Sequence, residues 1–399
     1  MRGTFFPLPG RLALRFSIHY LLPLEEVPPQ GLLLWPRMMM RGCSSFPSRR
    51  HVQGRLDELE GASLWPAIRW WRHLAAVGLE GEGVPGFGGD RFLHLLRCML
   101  EEPLFQPGSL EEEKRHVLRD LAGLRDDKEA YLWYRVREKM ARGEPWGLPL
   151  EEASRLVQAT SRADLEDFHG RLLREGRLFV VVAGEGAEPF FASLSGALPR
   201  GKDAPLPVLD PLPLDVEPQE LTEEGDGEEG RVVMVYRSGA SWGSREGYLL
   251  KLLHHLLGSS PSSRLFQAVR EEKGWSYAVG SRLDAALGTL SLEATVEKER
   301  LLQVEDIMVK ELEALLRGRI AEEAWASAVS LRRDELRYER EDLAALLEEA
   351  LLAFVSGNAY RPQEEEETLA QVRPEEVVTL AARLRLDTLY RLLPGRARP

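Results

Sequence analysis

Two residues of this chain have side chains that can donate hydrogen bonds to carbonyl or anionic oxygens. They are Arg270 and Tyr277, in the run Ser263-Arg-Leu-Phe-Gln-Ala-Val-Arg-Glu-Glu-Lys-Gly-Trp-Ser-Tyr. A guanidinium offers five fixed N–H donors to peptide carbonyls, and a phenol can donate a hydrogen bond to a tetrahedral oxyanion. Local signals say how they would be held. Pro261-Ser-Ser opens a helix over 263–273, with Leu265, Phe266 and Val269 on its apolar face and Arg270 at the edge of that face. Gly274 ends the helix. Trp275, Tyr277 and Val279 then alternate with Ser276, Ala278 and Gly280, which puts Tyr277 on the bulkier face of a strand. On spacing alone the commoner arrangement is a solvated helix arginine and a half-buried strand tyrosine. The choice between the two readings rests on what surrounds the pair.

A metal centre is the other chemistry to seek, and the histidines do not supply one. No two of the eight fall at i,i+4 with a glutamate between them. His254 and His255 are adjacent on a helix and therefore point to different faces. His116 and Asp120 could share a helix face, as solvated polar pairs often do. Cys43 and Cys98 are the only cysteines, so there is neither a disulfide framework nor a Cys-type metal site. The glycine run Gly81-Glu-Gly83-Val-Pro-Gly86 has dinucleotide-loop spacing, but helix follows it where a second strand would be required, and Pro85 removes an amide.

These residues must be positioned by a chain of 399 residues, long enough for two domains. A net charge of -12 argues against a nucleic-acid surface. With 52 basic residues, of which 8 are Lys and the rest Arg, and 25 Pro, the composition is compatible with a thermophile. No apolar run is long enough for a membrane span. Arg11, Arg15 and His19 interrupt the apolar stretch of the first 23 residues, which reads as a strand over 12–22 rather than a signal peptide; a cytoplasmic location is expected.

A Pro-rich and then acidic stretch at 201–230 reads as a linker between a domain at 1–200 and one at 231–399. The order of elements repeats on either side. Strands are expected at 12–22 and 231–237, then helices closed by Gly61 and Gly274, then strands at 68–77 and 289–296. Helices follow at 90–101 and 301–316, and further helices begin after Ser109 and Ile320. Late helices open at Ser161-Arg-Ala-Asp and Arg373-Pro-Glu-Glu, and each half closes on a strand, at 178–183 and 388–393. The pattern predicts a duplicated α+β unit, each copy a mostly antiparallel sheet with helices on one face.

Several blocks in this order resemble the pitrilysin/insulinase superfamily of zinc peptidases. They are Leu56-Asp-Glu-Leu-Glu-Gly-Ala, Pro103-Leu-Phe, Glu111-Glu-Glu-Lys-Arg-His-Val-Leu-Arg-Asp-Leu, Leu178-Phe-Val-Val-Val-Ala-Gly-Glu and, most specifically, Leu256-Leu-Gly-Ser-Ser-Pro-Ser-Ser-Arg-Leu-Phe through Tyr277. Active members carry an inverted His-x-x-Glu-His motif shortly before a Lys/Arg-Gly pair. Here that pair is Arg41-Gly42, and Leu33, Pro36 and Arg37 stand where the histidines and glutamate belong, with Asp120 near the place of the third ligand. Zinc needs imidazole, thiolate or carboxylate ligands, so no metal is expected on this chain.

The resemblance implies a non-catalytic, substrate-holding subunit. Arg270 and Tyr277 would bind substrate and stabilise the transition state at a zinc site on a homologous partner chain in a heterodimer. Substrates would be peptides or unfolded proteins, and zinc would be the partner's. A peptidase-derived scaffold with no proteolytic role is the rival. A third possibility is an unrecognised metal site around His116 and Asp120.

Overall fold

The computed structural model describes residues 3–84, 86, 89–202, 205–225 and 229–395, and the side chain of Tyr277 is outside the described set. Pro85 of the glycine run and residues 203, 204 and 226–228 of the expected linker also lie outside it. Two five-stranded sheets are described. The first contains β1 (Gly3–Pro7), β2 (Leu14–Pro23), β3 (Ser63–Trp70), β4 (Leu74–Gly83) and β5 (Arg177–Gly184) in the order β1-β5-β2-β4-β3. The second contains β6 (Gln219–Gly225), β7 (Glu229–Arg237), β8 (Ser276–Asp284), β9 (Thr289–Glu297) and β10 (Arg385–Pro394) in the order β6-β10-β7-β9-β8.

Replacing each strand of one list by its counterpart gives the other list. In both sheets the first edge strand is parallel to its neighbour and the remaining pairs are antiparallel. The duplicated, mostly antiparallel α+β architecture read from the sequence is the architecture of the molecule.

Strand β2, expected over 12–22, is a central strand of its sheet. All but two of its ten residues are buried, as a central strand flanked by β4 and β5 requires. Its polar residues have local partners, although Arg15 Nε and His19 Nε2 are buried without a hydrogen bond. Arg15 faces Glu80 and Glu82 of β4 at 3.6 Å each, and Ser17 Oγ lies 2.7 Å from His19 Nδ1. Burial, with the nearby Arg69 cation second, pushes the His19 pKa down to about 3, so the ring is a neutral core group.

Two expectations needed correction. The single strand expected at 68–77 is the junction of β3 and β4, with Trp71 N–H bonded to Leu74 O across a tight connection that contains neither glycine nor proline. The 201–230 stretch is not only linker. Leu209 and Leu212 are buried, and β6 pairs with β10 in parallel register. Its acidic composition is used at Glu223, whose carboxylate accepts bonds from Arg135 Nη2 (2.6 Å), Tyr390 Oη (2.7 Å) and Tyr131 Oη (3.1 Å).

The same bonds explain a discontinuity along the chain. One compact unit comprises Met1–Asp127, Gly143–Val208 and Glu339–Leu351, and the other Lys128–Arg142, Leu209–Tyr338 and Leu352–Pro399. The helix Lys128–Ala141 thus belongs with the second unit, where it carries Tyr131 and Arg135 onto β6 and β10. Among the described residues no helix is long and apolar enough to cross a membrane.

Candidate functional site

In the first unit, Leu33, Pro36 and Arg37 lie on the helix Pro29–Met39. Proline at its first position supplies a fixed φ where no N–H bond is needed, and Leu34, Trp35, Met38 and Met39 bury one side completely. Asp120 lies on the helix Pro107–Gly123 in the same unit. Arg37 Nη2 stands 2.5 Å from Asp120 Oδ2 and its Nη1 stands 3.6 Å from Glu113 Oε2. Arg41 makes a short ion pair with Glu113 and a 3.0 Å pair with Glu112. The acids that a metal would need are already bound to guanidinium groups.

His116 Nδ1 is 3.4 Å from Glu113 Oε2, so its nearest acid is Glu113, and Asp120 is engaged by Arg37. Burial raises the cost of the Glu113 charge, but its bond from Arg41, the Arg41 charge and His116 together hold its pKa below the usual carboxylate value. The residues present do not fit zinc. Leucine and proline offer no ligand atom, and Arg37, at a position the resemblance gives to a ligand, carries a fixed cation. Among the described residues no group of three or more His, Cys, Asp or Glu converges as a metal site. His169 is likewise structural. It receives the Trp35 Nε1–H bond at Nδ1 (3.0 Å), and its Nε2 is 2.8 Å from Leu100 O. Burial lowers its pKa to about 4.

In the second unit the expected helix over 263–273 is in part a π-helix, Phe266–Glu271, whose wide turns include the Glu272 N–H to Gln267 O bond at 2.9 Å. Such turns often mark functional segments. Leu265 and Val269 are fully buried, which anchors the segment. Phe266 is only half-buried, contrary to its expected core position, and the exposed Arg270 guanidinium stacks over its ring at 5.2 Å. Gly274, at φ +66, turns the chain, and Trp275 N–H closes the end on Val269 O at 3.1 Å.

Tyr277 lies in β8, an edge strand of its sheet. The register against β9 pairs Ser276 with Val296 and Ala278 with Thr295, so a bulge falls at Tyr277. That irregularity interrupts the period-two alternation expected through Trp275, Tyr277 and Val279.

Immediately beyond Tyr277, β8 lines a cavity of 380 Å³ with β7, β9, the helix Lys128–Ala141 and the end of the helix Arg245–Leu257. Polar groups on its wall include His254, Ser281, Glu129, Glu293 and Glu335. Gly258 makes this approach possible. A Cβ there would come within 2.3 Å of Ser281 N, whose N–H instead bonds Gly258 O at 3.1 Å. The adjacent histidines diverge as expected. His254 Nδ1 lies 2.7 Å from Ser281 Oγ, and His255 reaches Ser259 Oγ at 2.6 Å and Glu335 Oε2 at 3.0 Å. Because Ser281 Oγ donates to His254 O at 3.1 Å, Nδ1 carries the hydrogen on the His254 ring. Burial, with the neighbouring His255 second, lowers the His254 pKa to about 4. Across the cavity, burial raises the pKa of Glu293 against the opposing charge of Arg282.

Sequence reasoning did not single out this cavity. Its signal was present only as the glycines at 258 and 280, where helix end and strand must touch.

Residues 159–331 match the family model described as the peptidase M16 inactive domain. Over 400 residues the chain is 23% identical to the "Probable inactive metalloprotease YmfF" of Bacillus subtilis, covering 95% of this chain and 92% of that protein. An "Uncharacterized zinc protease" of Mycobacterium bovis is 31% identical over 221 residues, 53% of this chain and 50% of that one. Among solved structures, a conserved protein from Enterococcus faecalis superposes with a TM-score of 0.85 at 19% identity, covering 98% of this chain and 96% of that one. The repeated sheets, the match of residues 159–331 and the near full-length match to YmfF lead to one conclusion: this chain is similar to the inactive homologues of the pitrilysin/insulinase (M16) superfamily, and its sequence carries no His-x-x-Glu-His motif.

Proposed function

We propose that the chain is the non-catalytic, substrate-holding subunit of a heterodimeric zinc metallopeptidase. In this reading a homologous partner carries zinc and the general base, and this chain contributes Arg270 and Tyr277. The observation that carries the reading is Arg37, ion-paired to Asp120 where the resemblance places metal ligands. A chain so built cannot activate water, yet it retains the arginine of the substrate-holding block on an exposed, well-anchored turn. Peptide carbonyls would bond to the guanidinium, and the phenol would donate to the oxyanion formed at the partner's metal. Substrates are peptides and small unfolded proteins.

The test is to co-express the chain with the zinc-bearing homologue of its own genome, purify the complex and assay peptide hydrolysis. Hydrolysis by the complex, absent from either chain alone, is expected. A stable complex with no hydrolysis would favour the rival reading of a scaffold without proteolytic function.

A further inference from the structure

The two cysteines are the reactive groups that the proposed function leaves unused, and the fold brings them together. Cys43 follows Gly42 directly after the Arg41 anchor and is fully buried, in a tight turn where Cys43 N–H bonds Phe46 O at 2.9 Å. Cys98 lies on the helix Asp90–Glu101 and is 6% exposed. The Cys98 sulfur accepts the Ser45 N–H at 3.3 Å, and the Ser44 hydroxyl lies 3.5 Å from it. Ser44 Oγ also makes a short bond to Glu102 Oε2, which takes its one proton. The donor left for the Cys98 sulfur is therefore the Ser45 amide, and that bond holds the turn beginning at Cys43 against Cys98.

We propose that Cys98 and Cys43 form a peroxide-sensitive dithiol, with Cys98 as the attacking sulfur and Cys43 as the resolving one. A thiolate held by donors is the usual attacking species, and a neighbouring thiol converts its first oxidation product to a disulfide. Three features divide the roles. Only Cys98 retains exposure. Burial disfavours its charge, yet its polar neighbours, Cys43 and the Ser45 amide among them, outweigh burial and lower its pKa. For Cys43, burial and then the bond to Cys98 push the pKa up to about 12, so it stays a protonated donor.

The chemistry balances with a hydroperoxide as oxidant. The Cys98 thiolate attacks the distal oxygen, the O–O bond breaks, and the other oxygen leaves with a proton as an alcohol or as water. The Cys43 sulfur then attacks the Cys98 sulfenic acid. The S–O bond breaks, and hydroxide leaves with the Cys43 proton as water. Two thiols lose two electrons, which the peroxide gains. The disulfide would tie the turn behind the helix Pro29–Met39 to the helix Asp90–Glu101, which makes the first unit redox-sensitive.

The experiment treats the full chain with hydrogen peroxide and follows intact mass and non-reducing peptide maps. The wild-type chain should lose two hydrogen masses, give a linked Cys43–Cys98 peptide and recover with dithiothreitol. In Cys43→Ala, Cys98 should be trapped by dimedone as sulfenic acid. Cys98→Ala should show neither product, since the remaining thiol is buried and protonated. The wild-type map alone decides if a variant fails to fold. Two free thiols after a treatment that fully oxidises the urea-unfolded chain would overturn the proposal. So would Cys98 sulfinic acid beside an unmodified Cys43.

Discussion

Arg37 and Arg41 both bind the acids of the helix Pro107–Gly123, but their removal should have unequal consequences. Asp120, the close partner of Arg37, has a side chain 61% exposed, whereas the Glu113 side chain paired with Arg41 is 8% exposed. An exposed pair contributes about 0–1 kcal/mol, so Arg37→Ala should cost no more than that. Removing one partner of a fully buried pair costs about 3–5 kcal/mol. Arg41 itself is 20% exposed, and Arg37 and His116 remain near Glu113, which reduces the expected loss for Arg41→Ala to about 2 kcal/mol.

The pH dependence gives an independent check. The folded pKa of Glu113 is depressed. The stability it contributes is therefore fully present above its unfolded value of about 4.3 and is lost as pH falls through the folded value. The penalty of Arg41→Ala should shrink over the same window. Urea unfolding monitored by circular dichroism, at neutral and acid pH, measures both quantities. In a Glu113→Gln background, Arg41→Ala should cost less than about 1 kcal/mol, because no buried charge is left uncompensated. An equal cost in both backgrounds, or a larger cost for Arg37→Ala, would refute the argument.

Further outcomes follow from the same geometry. The purified chain alone should contain far less than one zinc per molecule after metal loading, as measured by atomic emission; one tightly bound equivalent would revive a site at His116 and Asp120. In NMR titration, His254 should remain neutral until about pH 4. Since its folded pKa lies below the ordinary value of about 6.5, it stabilises the fold above that pH and loses its contribution as pH falls toward 4. Gly258→Ala should destabilise the second unit by about 1–3 kcal/mol, because the new Cβ would overlap Ser281 N. Retention of the wild-type melting temperature would contradict that packing.

The long buried strands and amphipathic helices were legible because each carries its own period. Strand β2 and the helices Asp90–Glu101 and Leu301–Leu316 are cases in which local pattern and tertiary burial agree. The edge strands β1 and β6 were not legible, since β6 has a single apolar residue, Leu221, and draws its order from β10 and Arg135. The connection through Trp71-Arg72-His73 carries no glycine or proline to mark it. At the candidate site, the absence of ligand side chains at Leu33, Pro36 and Arg37 could be read from the sequence, but the Arg37–Asp120 pair joins residues far apart in the chain. The bulge at Tyr277 and the cavity beyond it depend on contacts with β9 and Gly258, which no local period encodes.

The central claim is that this chain acts on a substrate through another chain's zinc, and one measurement addresses it most directly. It is kcat/KM for peptide hydrolysis by the reconstituted complex carrying Arg270→Ala or Tyr277→Phe, with zinc content and assembly verified in parallel. Removing an oxyanion donor costs about 10²–10³ in rate, so Tyr277→Phe should lower kcat/KM by roughly that factor at unchanged zinc content. Arg270→Ala should lower it as well. Wild-type kcat/KM in both variants would contradict the account.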